Sequence, residues 1–67
     1  MTVAKITEIS SYSTTSFDDA IQTGIQRANK TLKNVKAAWI KDQEVMVNNG
    51  QIEGYRVTMK ITFVLED

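Results

Sequence analysis

Residues 48–66 read NNGQIEGYRVTMKITFVLE, and their pattern predicts a tight turn followed by a long strand. The stretch opens with an Asn-Gly pair, which supplies the positive φ angles that a two-residue hairpin turn requires. Apolar side chains then fill every second position over Tyr55–Leu65, with mostly polar side chains between them, as in a strand with one buried face. The pattern predicts a turn at residues 48–51 and a third strand over residues 52–66. Gly54 indicates a bulge or a close approach by another group.

The stretch before the turn, residues 35–47 (VKAAWIKDQEVMV), predicts a second strand that pairs with the third. Neither alternate set of its side chains is consistently apolar. Either this strand bends near residues 42–44, or both of its faces are partly covered. Its odd-numbered set contains Ala37, Trp39 and Val45, so this face is predicted to be an assembly or ligand surface.

Further towards the N-terminus, the sequence predicts one helix and a first strand. Residues 3–9 (VAKITEI) alternate roughly and are rich in β-branched side chains, whereas the Ser/Thr run at residues 10–15 is typical of a loop. Ser16 and Asp19 have the form of a capping box at a helix start, and Asn34 suits a left-handed C-cap. The predicted helix has one apolar stripe, made of Phe17, Ala20, Ile21, Gly24, Ile25, Ala28 and Leu32.

The order strand, helix, strand, strand predicts a single α+β domain over residues 1–67. A crossover helix makes strands one and two parallel, so placing strand three between them gives an antiparallel sheet of order 1-3-2. One helix covers only one face of such a sheet. A hairpin with strands of about 15 residues reaches about 50 Å. The hairpin must therefore curl around the helix, protrude into a neighbour, or both, which favours a closed homo-oligomer.

Composition excludes several classes of function. The chain of 67 residues has no His, Cys or Pro, and its eight basic residues balance its eight acidic residues. Ser-His-Asp and Cys-His catalysis, disulfides and the usual zinc sites are therefore absent. The charges are well mixed, so no nucleic-acid surface is expected. No apolar stretch is long enough to span a membrane, and the first residues do not resemble a signal peptide. A cytoplasmic protein that is not an enzyme is expected.

The chain resembles the dodecin family almost from end to end. The resemblance is carried by Thr15–Ile21 (TSFDDAI), by Arg27–Leu32 (RANKTL) and by the tail Gly50–Asp67. It implies a β-α-β-β subunit with the sheet wrapped around the helix, and a hollow homo-dodecamer. Many dodecins bind flavins in pairs at two-fold axes between trimers, for storage or quenching rather than catalysis. The resemblance therefore implies a flavin (FMN, FAD or riboflavin) as ligand.

Two positions depart from the flavin-binding pattern of the family. Flavin-binding dodecins carry a stacking Trp early in the second strand, where this chain has Ala37, and a Gln in the third strand, where it has Arg56. Trp39 follows Ala37 by two residues and is predicted on the same face, either as a displaced stacking platform or as an interface residue. Arg56 either binds a ligand phosphate or carboxylate or forms an ion pair with a neighbouring carboxylate. Gln43 is predicted to face the oligomer interior with Trp39.

The resemblance also includes a branch with Arg in the third strand and no early Trp, in which a member binds calcium. Calcium requires six to eight oxygen ligands. Asp42 and Glu44 are two residues apart and are predicted to share one strand face. They are the candidate metal ligands here, with symmetry-related copies completing the site. The sequence thus leaves two functions open, a ligand-binding shell and a calcium-binding or purely structural dodecamer.

Overall fold

The computed structural model describes residues 3–65 of the chain. Within this range the elements follow in the order strand, helix, strand, strand, as predicted. Their bounds are β1 Ala4–Ser13, α1 Phe17–Thr31, β2 Val35–Asn48 and β3 Gln51–Val64. Glu66, the predicted last residue of the third strand, lies outside the described residues.

The strands form one antiparallel sheet of order β1-β3-β2, which confirms the predicted topology. Asn48 pairs with Gln51, so the β2–β3 loop contains only two residues. These are Asn49, with φ 52°, and Gly50, with φ 74°. Both are left-handed, as the Asn-Gly pair predicts, and such a primed turn matches the twist of the two strands that it joins.

The first strand is longer than predicted. Residues 10–13 continue the ladder with β3, from Ser10 opposite Thr58 to Ser13 opposite Tyr55, so the loop predicted there is wrong for these four residues. The central strand β3 is long enough to provide backbone hydrogen-bond partners for residues 10–13 of β1. The half-exposed edge of the sheet also accepts hydroxyl side chains as readily as apolar ones.

Ser16 is the N-cap of α1, as predicted, because its Oγ accepts the Asp19 backbone N–H at 3.0 Å. The reciprocal half of the capping box is missing. The Asp19 carboxylate instead accepts the hydroxyl of buried Ser13 at 2.7 Å, and Ser13 Oγ accepts the Thr15 N–H at 2.9 Å. The last residue of β1 thereby orients the helix start. Asn34 has φ 60°, as predicted, although it lies beyond the C-cap itself.

The helix packs on one face of the sheet through small side chains. Its buried residues are Ala20, Gly24 and Ala28. They lie against the three fully buried side chains of β3, which are Val57, Met59 and Ile61. A Cβ added at Gly24 would lie 2.5 Å from Met59 Cε, so glycine permits this close approach of helix and sheet.

Three register shifts interrupt the β2–β3 ladder, at Val35/Ala37, Ile40/Asp42 and Met46/Val47. The middle shift leaves Lys41 as an extra residue in β2. A bulge of this kind reverses which face the later side chains occupy. The bend predicted near residues 42–44 therefore exists as a bulge one residue earlier, and it explains why neither alternate set of β2 is consistently apolar.

The molecule is elongated, with extents of 52 × 19 × 13 Å. Helix α1 begins at Phe17, whose ring packs edge-on against Tyr55 with centroids 5.1 Å apart. The hairpin beyond Tyr55 therefore extends past the start of the helix. The single chain thus has a hairpin that protrudes beyond the helix, which is one of the outcomes expected for strands of this length.

Candidate functional site

The sheet surface opposite α1 carries most of the candidate site residues, and we call it the helix-free face. Residues that pair directly across an antiparallel ladder lie on the same face of the sheet. Each residue of β1 or β2 that pairs with an even-numbered residue of β3 therefore belongs to the helix-free face. The cross-strand rows are Ile6–Thr62–Ala37, Glu8–Lys60–Trp39, Ser10–Thr58–Asp42 and Tyr12–Arg56–Glu44.

Trp39 is the largest exposed side chain on this face, with 64% of its surface accessible. Its position on the same face as Ala37 agrees with the prediction, because no register shift separates the two residues. The Lys60 ammonium lies 5.1 Å from the centroid of the Trp39 ring, a cation–π distance. Ala37, the smallest side chain in these rows, thus lies next to the broad, accessible ring of Trp39.

Arg56 lies further along β3 and carries a half-exposed guanidinium. Its Nη1 is 3.7 Å from Glu44 Oε1, so the neighbouring carboxylate expected as one alternative is present. On its other side, the guanidinium carbon lies 6.0 Å from the centroid of the Tyr12 ring. Because both side chains of the ion pair are about half exposed, the pair contributes little to stability.

On the described part of this face, the acidic residues are arranged as two loose ion pairs and one further carboxylate. Lys41, the bulge residue, reaches across β3 to Glu8 with Nζ and Oε1 3.4 Å apart. Asp42 and Glu44 share the face, as predicted. Among residues 3–65, no three acidic side chains converge into a metal-binding group. A calcium site on Asp42 and Glu44 therefore requires oxygen ligands from elsewhere.

Gln43 does not lie with Trp39, so this prediction is wrong. It pairs with buried Val57, whereas Trp39 pairs with Lys60, and these two β3 positions point to opposite faces. The bulge at Lys41 is the physical cause, because one extra residue reverses the alternation on which the prediction depended. Val45 is displaced from the Trp39 face for the same reason.

Tyr12 is a further residue of this face, although it lies in the stretch of residues 10–15 whose composition predicts a loop. A Cβ added at Gly54 would clash with the Tyr12 phenol, so the tyrosine lies directly over the glycine. The close approach expected at Gly54 is thus confirmed, and its partner is the ring that also flanks Arg56. Continuing the alternation of β1 by three residues was the signal that would have revealed it.

We expect Gly54→Ala to destabilise the wild-type chain by about 1 kcal/mol, because the added methyl displaces the Tyr12 ring. In a Tyr12→Ser background, the same change should stabilise the fold by about 0.5–1 kcal/mol, since alanine loses less backbone entropy than glycine. Urea unfolding of the four proteins in this double-mutant cycle measures the difference. Equal effects of Gly54→Ala in both backgrounds would contradict the contact.

A second accessible surface is the end of the hairpin, on the helix side of the sheet but beyond the helix. We call Val45, Val47 and Ile52 the hairpin-end cluster. Their exposed fractions are 40%, 60% and 57%. Three aliphatic side chains grouped at one end of a chain are typical of an interaction surface.

A groove of about 410 Å³ separates α1 from β2 on the same side of the sheet. Its lining is mostly apolar and consists of Ile21, Ile25, Val35, Lys36, Ala37, Ala38 and Ile40. The helix therefore does not cover the whole width of the sheet.

None of the helical structure within residues 3–65 has the length and apolar character needed to cross a membrane.

Comparison with known proteins identifies similar chains. The family model described as Dodecin matches residues 3–66. A dodecin from Streptomyces davaonensis superposes with a TM-score of 0.92 at 35% identity, covering 98% of this chain and 97% of that one. A mutant dodecin from Thermus thermophilus gives a TM-score of 0.93 at 27% identity, covering 100% of both chains.

A third solved structure is a calcium-chelating antigen of Mycobacterium tuberculosis, named calcium dodecin, with a novel calcium-binding site. It is 28% identical, with a TM-score of 0.81 over 96% of this chain and 91% of that one. No curated protein sequence matches this chain significantly.

Proposed function

Because this chain belongs to the dodecin family, we propose that it forms a hollow homo-dodecamer that binds a planar ligand of the flavin type without catalysing a reaction. The observation that carries the proposal is Trp39, a tryptophan 64% exposed on the face opposite the helix. A broad aromatic surface of this kind stacks on planar heterocycles, and such stacking contributes about 1–3 kcal/mol per ring in nucleic-acid complexes.

The site uses Trp39 as a displaced platform. The family's stacking position is occupied by Ala37, whose methyl group cannot stack but leaves space beside Trp39. Both residues face the same side of β2. The Lys60 ammonium beside the indole is a flexible group that a flavin ring displaces or interacts with at its edge.

Oligomerisation accounts for the surfaces that the single chain leaves exposed. The hairpin-end cluster and the groove between α1 and β2 are both apolar and lie on the helix side of the sheet. Burying them between copies adds hydrophobic stabilisation that one small domain lacks. The helix-free face then provides the ligand surface, and the helix side provides contacts between subunits.

A second candidate function is binding of calcium. It is favoured by Asp42 and Glu44, which share the helix-free face, and by the similarity to the calcium dodecin of M. tuberculosis. In this chain Glu44 is already paired with Arg56. Calcium binding would therefore have to replace that ion pair and recruit oxygen ligands from symmetry-related copies.

Native mass spectrometry of protein purified without added ligand tests the proposal. Twelve copies of the 7.5 kDa chain give about 90 kDa. We expect a species of this mass that gains the mass of FMN or riboflavin when either is added. A bare dodecamer that takes up calcium but no flavin would favour the second function. A monomer or dimer at micromolar concentration would refute the assembly.

A further inference from the structure

The turn between β2 and β3 combines a reactive sequence with an open geometry. Its two residues, Asn49 and Gly50, are exposed and have positive φ angles of 52° and 74°. A Cβ built at Gly50 would have no heavy atom within 4 Å apart from those of its chain neighbours. Within residues 3–65, neither the side-chain amide of Asn49 nor the backbone N–H of Gly50 takes part in a hydrogen bond. No other part of the described chain therefore shields these two groups.

An Asn-Gly pair also contains its own nucleophile. The backbone nitrogen of Gly50 follows the Asn49 side chain at the spacing that closes a five-membered ring on Cγ of the asparagine. Glycine favours this closure, because it has no Cβ to hinder the nitrogen and has the widest choice of backbone dihedral angles. At every other asparagine of the chain, the next residue carries a side chain.

We propose that Asn49 is a site of spontaneous deamidation, which changes the hairpin turn as the protein ages. Gly50 N loses its proton and bonds to Asn49 Cγ, while Nδ2 leaves with a proton as ammonia, and a succinimide ring forms. Water then opens the ring at one of its two carbonyl carbons. Opening at Cγ breaks the new bond and yields aspartate. Opening at the backbone carbonyl breaks the original peptide bond and yields isoaspartate, in which the chain continues through Cγ. Water is the only co-reactant.

The two products differ in the length of the main chain. Aspartate leaves the length unchanged, and Asp-Gly suits a primed two-residue turn as well as Asn-Gly does. Isoaspartate adds one carbon to the main chain inside a two-residue loop, and loop length sets the register of a hairpin. Asn48 and Gln51 form the pair directly beside this loop. We therefore expect isoaspartate, and not aspartate, to disturb the pairing at the hairpin end.

This disturbance reaches the surface that the proposed dodecamer buries. The next pair along the ladder is Val47 with Ile52, and both belong to the hairpin-end cluster. Isoaspartate at the turn should therefore weaken contacts between subunits. The effect on assembly rests on the proposed dodecamer, whereas the deamidation itself depends only on the turn.

Mass spectrometry of tryptic peptides, taken from the full-length protein during incubation at neutral pH, tests the site. Trypsin releases residues 42–56 as one peptide, in which Asn48 and Asn49 are the only asparagines. We expect the aspartyl and isoaspartyl forms of Asn49 to accumulate at least about tenfold faster than any change at Asn48, a difference in activation free energy of roughly 1.4 kcal/mol. Asn48 is the matched control, since it is also exposed but precedes an asparagine.

Two variants separate the turn chemistry from other effects of ageing. The double variant Asn48→Thr, Asn49→Gly removes both amides and keeps a Gly-Gly pair, which a primed turn accepts. Its peptide and its assembly should not change with time. Freshly prepared Asn49→Asp should assemble as the wild type does. In aged wild-type protein, size-exclusion fractions identified by native mass spectrometry should show the isoaspartyl form enriched in species smaller than the dodecamer.

The outcomes separate the site, its effect on assembly and the proposed function. If the folded chain keeps Asn49 intact while the same chain unfolded in guanidinium chloride deamidates there, the proposed site is overturned. Equal rates at Asn49 and Asn48 would also overturn it. An isoaspartyl fraction that is the same in dodecamers and in smaller species would overturn the effect on assembly. If fresh wild-type protein forms no dodecamer, the proposed function fails, and deamidation of Asn49 in the smaller species still supports the site.

Discussion

Replacing Trp39 with alanine is expected to weaken binding of riboflavin and FMN by about 10- to 100-fold. Within the described residues, Trp39 and Tyr12 are the aromatic side chains of the helix-free face, and the substitution removes the broader of the two. The ring of Tyr12 already lies over Gly54 and next to Arg56, so it cannot take over the role of a flat platform. Fluorescence quenching titrations measure the loss directly.

Fold and assembly should survive this substitution. Trp39 exposes 64% of its surface in the single chain and does not belong to the buried cluster between helix and sheet. Trp39→Phe is the matched control, since it keeps a planar ring of smaller area. We expect it to retain most of the affinity and to quench flavin fluorescence less strongly.

The result also separates the two interpretations of Trp39. If Trp39→Ala loses the ligand and remains a dodecamer, the residue is a stacking platform. If the variant dissociates into smaller species, the residue is an interface residue and the ligand surface must lie elsewhere. If the variant remains assembled and binds both flavins with unchanged affinity, stacking on Trp39 is refuted.

The regular part of the fold was predictable from local signals. The Asn-Gly pair at Asn49 and Gly50 specified the turn, and the alternation over Tyr55–Leu65 identified β3 as the central strand. Ser16 specified the helix start because its Oγ accepts the backbone N–H of Asp19. Each of these signals depends on residues close together in the chain, so no knowledge of distant contacts was needed.

The candidate site was only partly predictable, because it depends on register across strands. Ala37 and Trp39 precede the bulge at Lys41, and their shared face was predicted correctly. Gln43 follows the bulge and was placed on the wrong face. The broken alternation of residues 35–47 indicated a bend near residues 42–44, but it did not identify Lys41 as the extra residue, because its position is set by the fit between two long strands. Contacts of this kind require the paired structure.

The contact of Tyr12 with Gly54 is a second example. Gly54 indicated a close approach by another group, but the sequence did not identify the side chain that approaches it. The partner is 42 positions earlier in the chain, in a stretch whose hydroxyl-rich composition is typical of loops. Pairing with the central strand overrode that local preference.

Replacing Val47 with lysine is expected to abolish the dodecamer and release smaller species that are still folded. Val47 belongs to the hairpin-end cluster and is 60% exposed in the single chain, so a lysine there does not disturb the packing between helix and sheet. In an assembly that buries this cluster, each subunit would have to desolvate an ammonium without a partner, which costs several kcal/mol.

Gln51→Lys is the matched control, because it introduces the same charge at the same end of the hairpin in place of an exposed polar side chain. It should remain assembled. Ile52 pairs with Val47 across the hairpin. Ile52→Lys should therefore reproduce the dissociation, which would show that the effect of Val47→Lys is not a local folding defect at one site. Native mass spectrometry gives the oligomeric state, and far-ultraviolet circular dichroism shows whether the released chains keep their β-α-β-β structure. Dodecamers of wild-type stability in both Val47→Lys and Ile52→Lys would show that the hairpin end projects into solvent, and the apolar contact between subunits would then have to be sought in the groove between α1 and β2.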